Sequence, residues 1–178
     1  DYCGCARMNI FVLDRDPILA ARMQCNKHVV KMVLETAQML CANFPEGEAP
    51  YLRAHYNHPC TIWARTSKAN FQWLLAHGKE LAKEYTRRYD KIHASHKVIA
   101  WCADNIDKLD FPEEGLTEFA VAISDDQNCR MMVGGFDRLD IVDKYRMYYI
   151  LDKSRFAKWP GDRFPDWYLE GLNEFGLR

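Results

Sequence analysis

With 178 residues and a formal net charge of −1, the chain has the length of one folded domain and lacks the basic excess by which proteins coat nucleic acid through its phosphates. Hydrophobic residues at 48% and charged residues at 28% exclude the disordered and fibrous classes. No apolar run approaches the roughly 20 residues that span a bilayer, and no basic-then-apolar leader opens the chain, so the expected location is cytoplasmic and no membrane partner is expected.

Asp1 to Arg7 do not share the pattern of the remaining chain, and Met8 opens the first patterned stretch. The expected organisation is a non-native or disordered leader over residues 1–7 and a single compact helical domain over residues 8–178. Asn9-Ile10-Phe11-Val12-Leu13 reads as a short extended segment, too little alone to make a sheet. Asp16-Pro17 predicts a helix start, running to about Gln24. Asn26 is placed to cap the next helix, Lys27 to Phe44, which shows the apolar period of about 3.6 residues and is stopped by Pro45-Glu46-Gly47-Glu48-Ala49-Pro50.

His58-Pro59 predicts a shorter helix through Thr66, Ser67 a cap for Lys68 to Tyr89, and Ser95 a cap for His96 to Leu109. Periodicity weakens from Asp110 to Arg138, with a turn at Gly134-Gly135. Leu139 to Phe156 reads as helical again, and Pro165-Asp166-Trp167 opens a C-terminal helix. The predicted fold class is all-α, about six or seven helices after the short extended segment.

The chemistry-bearing pattern lies on the helix after Asn26. On a wheel of about 100° per residue, His28, Lys31, Glu35 and Gln38 fall within an arc of roughly 80°, with Lys27 beside them. Val29, Val30, Val33, Leu34, Ala37, Leu40 and Cys41 are expected to be packed on the opposite side, so the thin polar strip reads as the wall of a cleft. Lys31 and Glu35 also fit a solvated i, i+4 pair, and that reading stays open. If the strip is a site, Glu35 is its general acid or base, and Lys27 or Lys31 is an amine nucleophile or a phosphate clamp.

A second strip, Asn70, His77, Glu84 and Arg88, lies within an arc of about 40° on the Ser67-capped helix, bordered by Trp73. Together the two strips suggest a shared cleft, although His77 alone fits a boundary histidine. The segment Arg87 to Lys97, with Tyr89 and His93 inside it, can hold phosphates or form a charged helix end. Arg65 and His58 are further candidate substrate-binding residues. No cofactor is expected, and no metal: His55, His58, His93 and His96 form no helical ligand pair, and Cys3 and Cys5 lack a second pair. Cys25, Cys41, Cys60 and Cys102 sit singly among apolar neighbours and read as reduced thiols.

Three segments carry a resemblance: Asn9 to Asp14 continuing through Cys25 to Gln38, then Asn57-His58-Pro59-Cys60-Thr61-Ile62-Trp63, then Glu84-Tyr85-Thr86-Arg87-Arg88-Tyr89. They resemble a family of bacteriophage-encoded uncharacterised proteins, notably marine ones, which would place the chain in the host cytosol. Asn57-His58-Pro59 and Arg87-Arg88-Tyr89 stand in an order similar to the pyrimidine-dimer DNA glycosylases of the endonuclease V type, small all-α proteins with an early helix bearing a catalytic glutamate. The resemblance implies attack on the sugar C1′ by an N-terminal α-amine assisted by a glutamate, which Glu35 would match.

The expected function is therefore a DNA- or nucleotide-directed enzyme, a glycosylase-type base-excising or base-modifying hydrolase. Catalytic roles are expected for Glu35, Lys27, Lys31 and His28, and substrate contacts for His58, Arg65, Asn70, Trp73, His77, Glu84, Arg88 and His93. Trp63 or Trp73 would stack on an extruded base. The alternative is a non-catalytic phage accessory protein binding a host protein or a small nucleotide through the same cleft.

Overall fold

A computed structural model describes residues 8–178. Among the described residues the regular structure is eight α-helices and no strand, with one isolated parallel bridge between Ser67 and Glu113. The all-α expectation holds, with one more helix than foreseen. The expectations for residues 1–7, including the Cys3 and Cys5 pair, lie outside the described residues.

Residues 8–13 are buried but irregular. Helix α1, Pro17–Arg22, starts where expected because the Asp16 carboxylate accepts from the Ile18 and Leu19 amides ahead of a pre-set proline. Helix α2 spans Asn26–Cys41. Asn26 does not cap it as expected: it is the first helical residue, and its side-chain oxygen accepts from Arg88 at 3.1 Å. The helix stops short of Phe44 because Asn43 Nδ2 turns back to the Met39 carbonyl and also reaches that of Thr61.

Helix α3, Pro59–Thr66, and helix α4, Lys68–Tyr89, match their predicted bounds. The Ser67 hydroxyl accepts the Asn70 amide, and α4 ends at Asp90 in the left-handed conformation. Helix α5 is only His96–Asp104, followed by a 3₁₀ turn, since the Asn105 side chain takes the Trp101 carbonyl. Ser95 does not cap α5 through its side chain; its hydroxyl bonds Tyr51 instead.

The weakly patterned region contains α6, Asn128–Met132, whose first amides donate to Asp152 from a distant part of the chain. The predicted helix from Leu139 to Phe156 becomes α7, Ile141–Tyr148, running into a π turn over Tyr149–Lys153. Helix α8 is Asp166–Glu174.

Helix α4 is the axis of the N-terminal half, packed against α1, α2, α3 and α5, while α7 and its π turn hold α6 and α8. Buried side chains from Met8 to Tyr168 form one apolar cluster that joins these groups. The five described cysteines are free and buried. No helix among the described residues is long and apolar enough to cross a membrane.

Candidate active site

The strip on α2 survives folding, but with a different border. Lys27 is exposed, Lys31 and Gln38 are half-buried, and His28 and Glu35 are buried. Val30 and Leu34, expected on the packed side, are 42% and 41% exposed. The reason is that neighbours cover most of α2, leaving only a narrow arc through Lys27, Val30 and Leu34 open to solvent. The strip therefore has a buried edge, where His28 and Glu35 sit, and a solvent edge.

Glu35 is the chemically unusual group. Its side chain is 8% exposed, and its Oε2 has no hydrogen bond among the described residues, with Lys31 Nζ standing 3.7 Å away. Burial raises its pKa to about 7, against the opposing pull of the Lys31 charge. The same carboxyl acts electrostatically on the Cys60 thiol, which hydrogen-bonds the Ile10 backbone and is pushed up to about 12, chiefly by burial. Glu35 thus faces the first turn of α3 and the segment after Met8.

His28 is held by residues far along the chain. Its ring stacks on Phe11 at 4.2 Å, and its Nδ1 lies 2.6 Å from the Tyr149 hydroxyl. Burial, then the charges of Lys153, Lys31 and Lys27, hold its pKa well below the ordinary value, so the ring is neutral at pH 7. The hydroxyl's other outlet, Cys25 Sγ, is 3.7 Å away. The same hydroxyl accepts the Cys25 amide at 3.2 Å, which fixes it beside the start of α2.

Lys153 comes from the π turn, a feature often found at functional sites. Its Nζ lies 4.5 Å from the Tyr148 ring centre, and Lys27 Nζ lies 4.9 Å from that of Phe156. Burial and the Arg155 charge lower the Lys153 pKa. Three lysines thus act on the neutral imidazole, and one of them, Lys31, also stands beside the raised carboxyl, an arrangement suited to an anionic substrate and to proton transfer near neutral pH. Tyr149, Lys153 and Phe156 were not foreseen as site residues; the basic and aromatic alternation Lys153-Ser154-Arg155-Phe156 was the available signal.

Of the second strip, Arg88 reaches α2, donating to Asn26 Oδ1 at 3.1 Å beside Lys27. Asn70 is fully buried, donating to the Trp63 carbonyl and to Thr117 Oγ1 while accepting the Thr117 amide. His77 is bonded to the Pro17 carbonyl and to Gln24, and burial brings its pKa to about 4. Arg88 donates to the carbonyls of Arg22 and Gln24 and to Asn26 Oδ1, tying α4 to α1 and to the start of α2, and Glu84 pairs with Arg87 and Arg88. Asn70, His77 and Glu84 are thus taken up by the fold's own polar atoms, and the two strips meet at Arg88 and the start of α2.

The tryptophan expectation is corrected as well. Trp63 and Trp73 are 4% and 7% exposed and pack against each other, Phe119 and His77, so neither ring is open to an extruded base. His93 bonds the Val30 carbonyl and the Ser95 amide, whereas Lys91, His96 and Lys97 of the basic stretch remain exposed. His58 is half-buried and spends Nδ1 as the cap of α3, accepting from the Cys60 amide. Arg65 bonds Asn43 and the Tyr56 carbonyl, away from Glu35 at the far end of α2. Among the described residues, no three His, Cys, Asp or Glu side chains converge on a metal position.

Asn70→Ala should lower unfolding stability by about 3 kcal/mol, because it removes the side-chain partner of the buried Trp63 carbonyl and of the part-buried Thr117 amide. Urea denaturation reads this directly, and a loss under about 1 kcal/mol would show that Asn70 is not a structural group.

A family model described as pyrimidine dimer DNA glycosylase matches residues 8–97. The chain belongs to this family. Comparison with curated proteins and with solved structures gave no match. Membership brings DNA glycosylase chemistry at the level of the family, with DNA as the substrate class. The matched part of this glycosylase-family chain contains Lys27, His28, Lys31 and Glu35; Tyr149 and Lys153 come from the part beyond it.

Proposed function

We propose that this chain excises a damaged pyrimidine from duplex DNA, in the first instance one base of a pyrimidine dimer, with Glu35 as its general acid and base. The observation that carries this reading is a buried carboxyl held at about 7 beside Lys31, on a strip that Lys27 and Lys153 make cationic. A carboxyl at this pKa exists in both forms near neutrality, so it can take a proton and return it within one turnover.

In the proposed step, the Glu35 carboxylate first takes a proton from the Lys31 ammonium, and the neutral amine so formed attacks C1′ of the damaged nucleotide. The C1′–Nζ bond forms as the glycosidic C1′–N1 bond breaks, and the electron pair leaves with the pyrimidine, which receives the proton from Glu35. Glu35 then takes a second Nζ proton and passes it to O4′ as the C1′–O4′ bond breaks, which leaves the C1′=Nζ iminium that borohydride reduces. Lys27 and Lys153 hold flanking phosphates. Neutral His28 hydrogen-bonds the base through Nε2, its ring orientation being fixed by Phe11 and Tyr149.

The test is release of damaged pyrimidine from a duplex with one site-specific cyclobutane thymine dimer, alongside the undamaged duplex. Release from the first alone is expected; no release by the folded protein would overturn the reading. Borohydride added during turnover should trap a covalent protein–DNA adduct in wild type and not in Lys31→Ala. Trapping that persists in Lys31→Ala would place the attacking amine elsewhere.

A further inference from the structure

At the C-terminal end of α2, on the side of the chain where Arg65 lies, the surface opens into a cavity of about 520 Å³, within the size range of small-molecule clefts. It is separate from the Glu35 strip, since none of Lys27, His28, Lys31, Glu35 and Lys153 lines it. Its walls combine three cations, Arg53, Arg65 and Lys108, with apolar and aromatic surface from Tyr56 and Ile62, and one carboxylate, Asp110. The Arg53 and Arg65 guanidinium carbons stand 4.4 and 4.0 Å from the Tyr56 ring centre.

The cations are only partly used by the protein. Arg53 donates through Nη2 to the Phe44 carbonyl, and Arg65 through Nη1 to Asn43 and the Tyr56 carbonyl. These bonds fix both planes and leave the second terminal nitrogen of each with no acceptor among the described residues. Lys108 is exposed and forms no ion pair among the described residues, although its Nζ lies 5.7 Å from the Trp101 ring centre. Asp110 likewise pairs with none of the three cations among the described residues, so the cavity keeps a net positive charge.

We infer that this cavity is a second binding site, for a nucleotide: phosphate on Arg53, Arg65 and Lys108, and the base against Tyr56 and Ile62 with an exocyclic amine donated to Asp110. Fixed guanidinium forks suit phosphate oxygens, an aromatic and aliphatic wall suits a base face, and a carboxylate accepts from a base amine. An inorganic anion would use the cations and leave the apolar wall idle. An apolar ligand would leave three charges unmatched.

The inference rests on the DNA-directed reading for its biological setting and not for its chemistry. Cys41, the last residue of α2, lies six residues beyond Glu35, about 9 Å along the helix, or between two and three base-pair steps at about 3.4 Å each. The occupant is thus either a free mononucleotide or a strand unit a few steps from the excised one.

The test is calorimetric titration of the full chain with dAMP, deoxyadenosine, inorganic phosphate and hexameric oligodeoxyadenylate. Saturable dAMP binding is expected, at least tenfold tighter than deoxyadenosine or phosphate. Lys108→Glu, an exposed substitution, should weaken it at least tenfold, and Tyr56→Ala should do so as well, with circular dichroism confirming the fold. A hexamer binding at least tenfold tighter than dAMP identifies a strand unit; equal affinities identify a free nucleotide.

Lys27→Ala plus Lys153→Ala should leave dAMP affinity unchanged. The inference is overturned if dAMP does not bind, if Lys108→Glu has no effect, or if the Lys27 and Lys153 substitutions abolish binding. Because no turnover is read, a chain that excises nothing can still bind dAMP here, and one that excises a pyrimidine can fail to. The two readings therefore fail separately.

Discussion

Glu35→Gln is expected to reduce pyrimidine release by at least about a hundredfold, the lower end of what a positioned acid–base group contributes, while the fold survives and gains stability above neutral pH. The stability half comes from the same buried carboxyl. In the unfolded chain Glu35 titrates at its ordinary value of 4.5, and in the fold at about 7. Below pH 4.5 the carboxyl is neutral in both states and contributes no difference.

Between those values the unfolded chain loses the proton first, and the fold weakens as pH rises. Above 7 the full cost is present, up to about 3 kcal/mol at 1.36 kcal/mol per pKa unit. Glutamine removes that cost, so urea denaturation at pH 8 should show a more stable variant, with the gain absent at pH 4. A variant that is inactive and also less stable at pH 8 would make Glu35 a structural group rather than a strained functional one.

The second large effect is on DNA affinity. Lys27→Ala plus Lys153→Ala should lower the slope of log affinity against log salt by about 2 and weaken duplex binding roughly fiftyfold at 0.1 M salt, the counterion-release loss for two phosphate contacts. The loss should be equal for damaged and undamaged duplexes, because phosphates carry no sequence or damage information. Fluorescence anisotropy across a salt series measures both. An unchanged slope would mean that these lysines face no phosphate. The formal net charge of −1 sharpens the test, since affinity must come from local cations.

The α2 strip was legible because it is local: His28, Lys31 and Glu35 share one helix face by spacing alone, and a helix of this length keeps phase. What holds them was not legible. Tyr149 reaches His28 across 121 positions, and the π turn that carries Lys153 shifts the phase that a 3.6-residue wheel assumes.

The α4 strip shows the opposite error. Asn70, His77 and Arg88 stand at the edge of an apolar face, as cleft residues would, but the groups they meet are backbone carbonyls of α1 and α3, Gln24 between α1 and α2, Asn26 at the start of α2, and Thr117. Periodicity records that a polar group lies at a border and not what lies across it. Val30 and Leu34 fail for a related reason, since apolar character does not reveal which arc of a helix its neighbours leave open.

The most direct test of Glu35 as the acid–base group is the pH dependence of single-turnover base release from a thymine-dimer duplex. The expected profile breaks near pH 7, at the pKa of the buried carboxyl, and the residual rate of Glu35→Gln lacks that break. A wild-type rate that is flat between about pH 5.5 and 8.5, or a break that persists unchanged in Glu35→Gln, would contradict it.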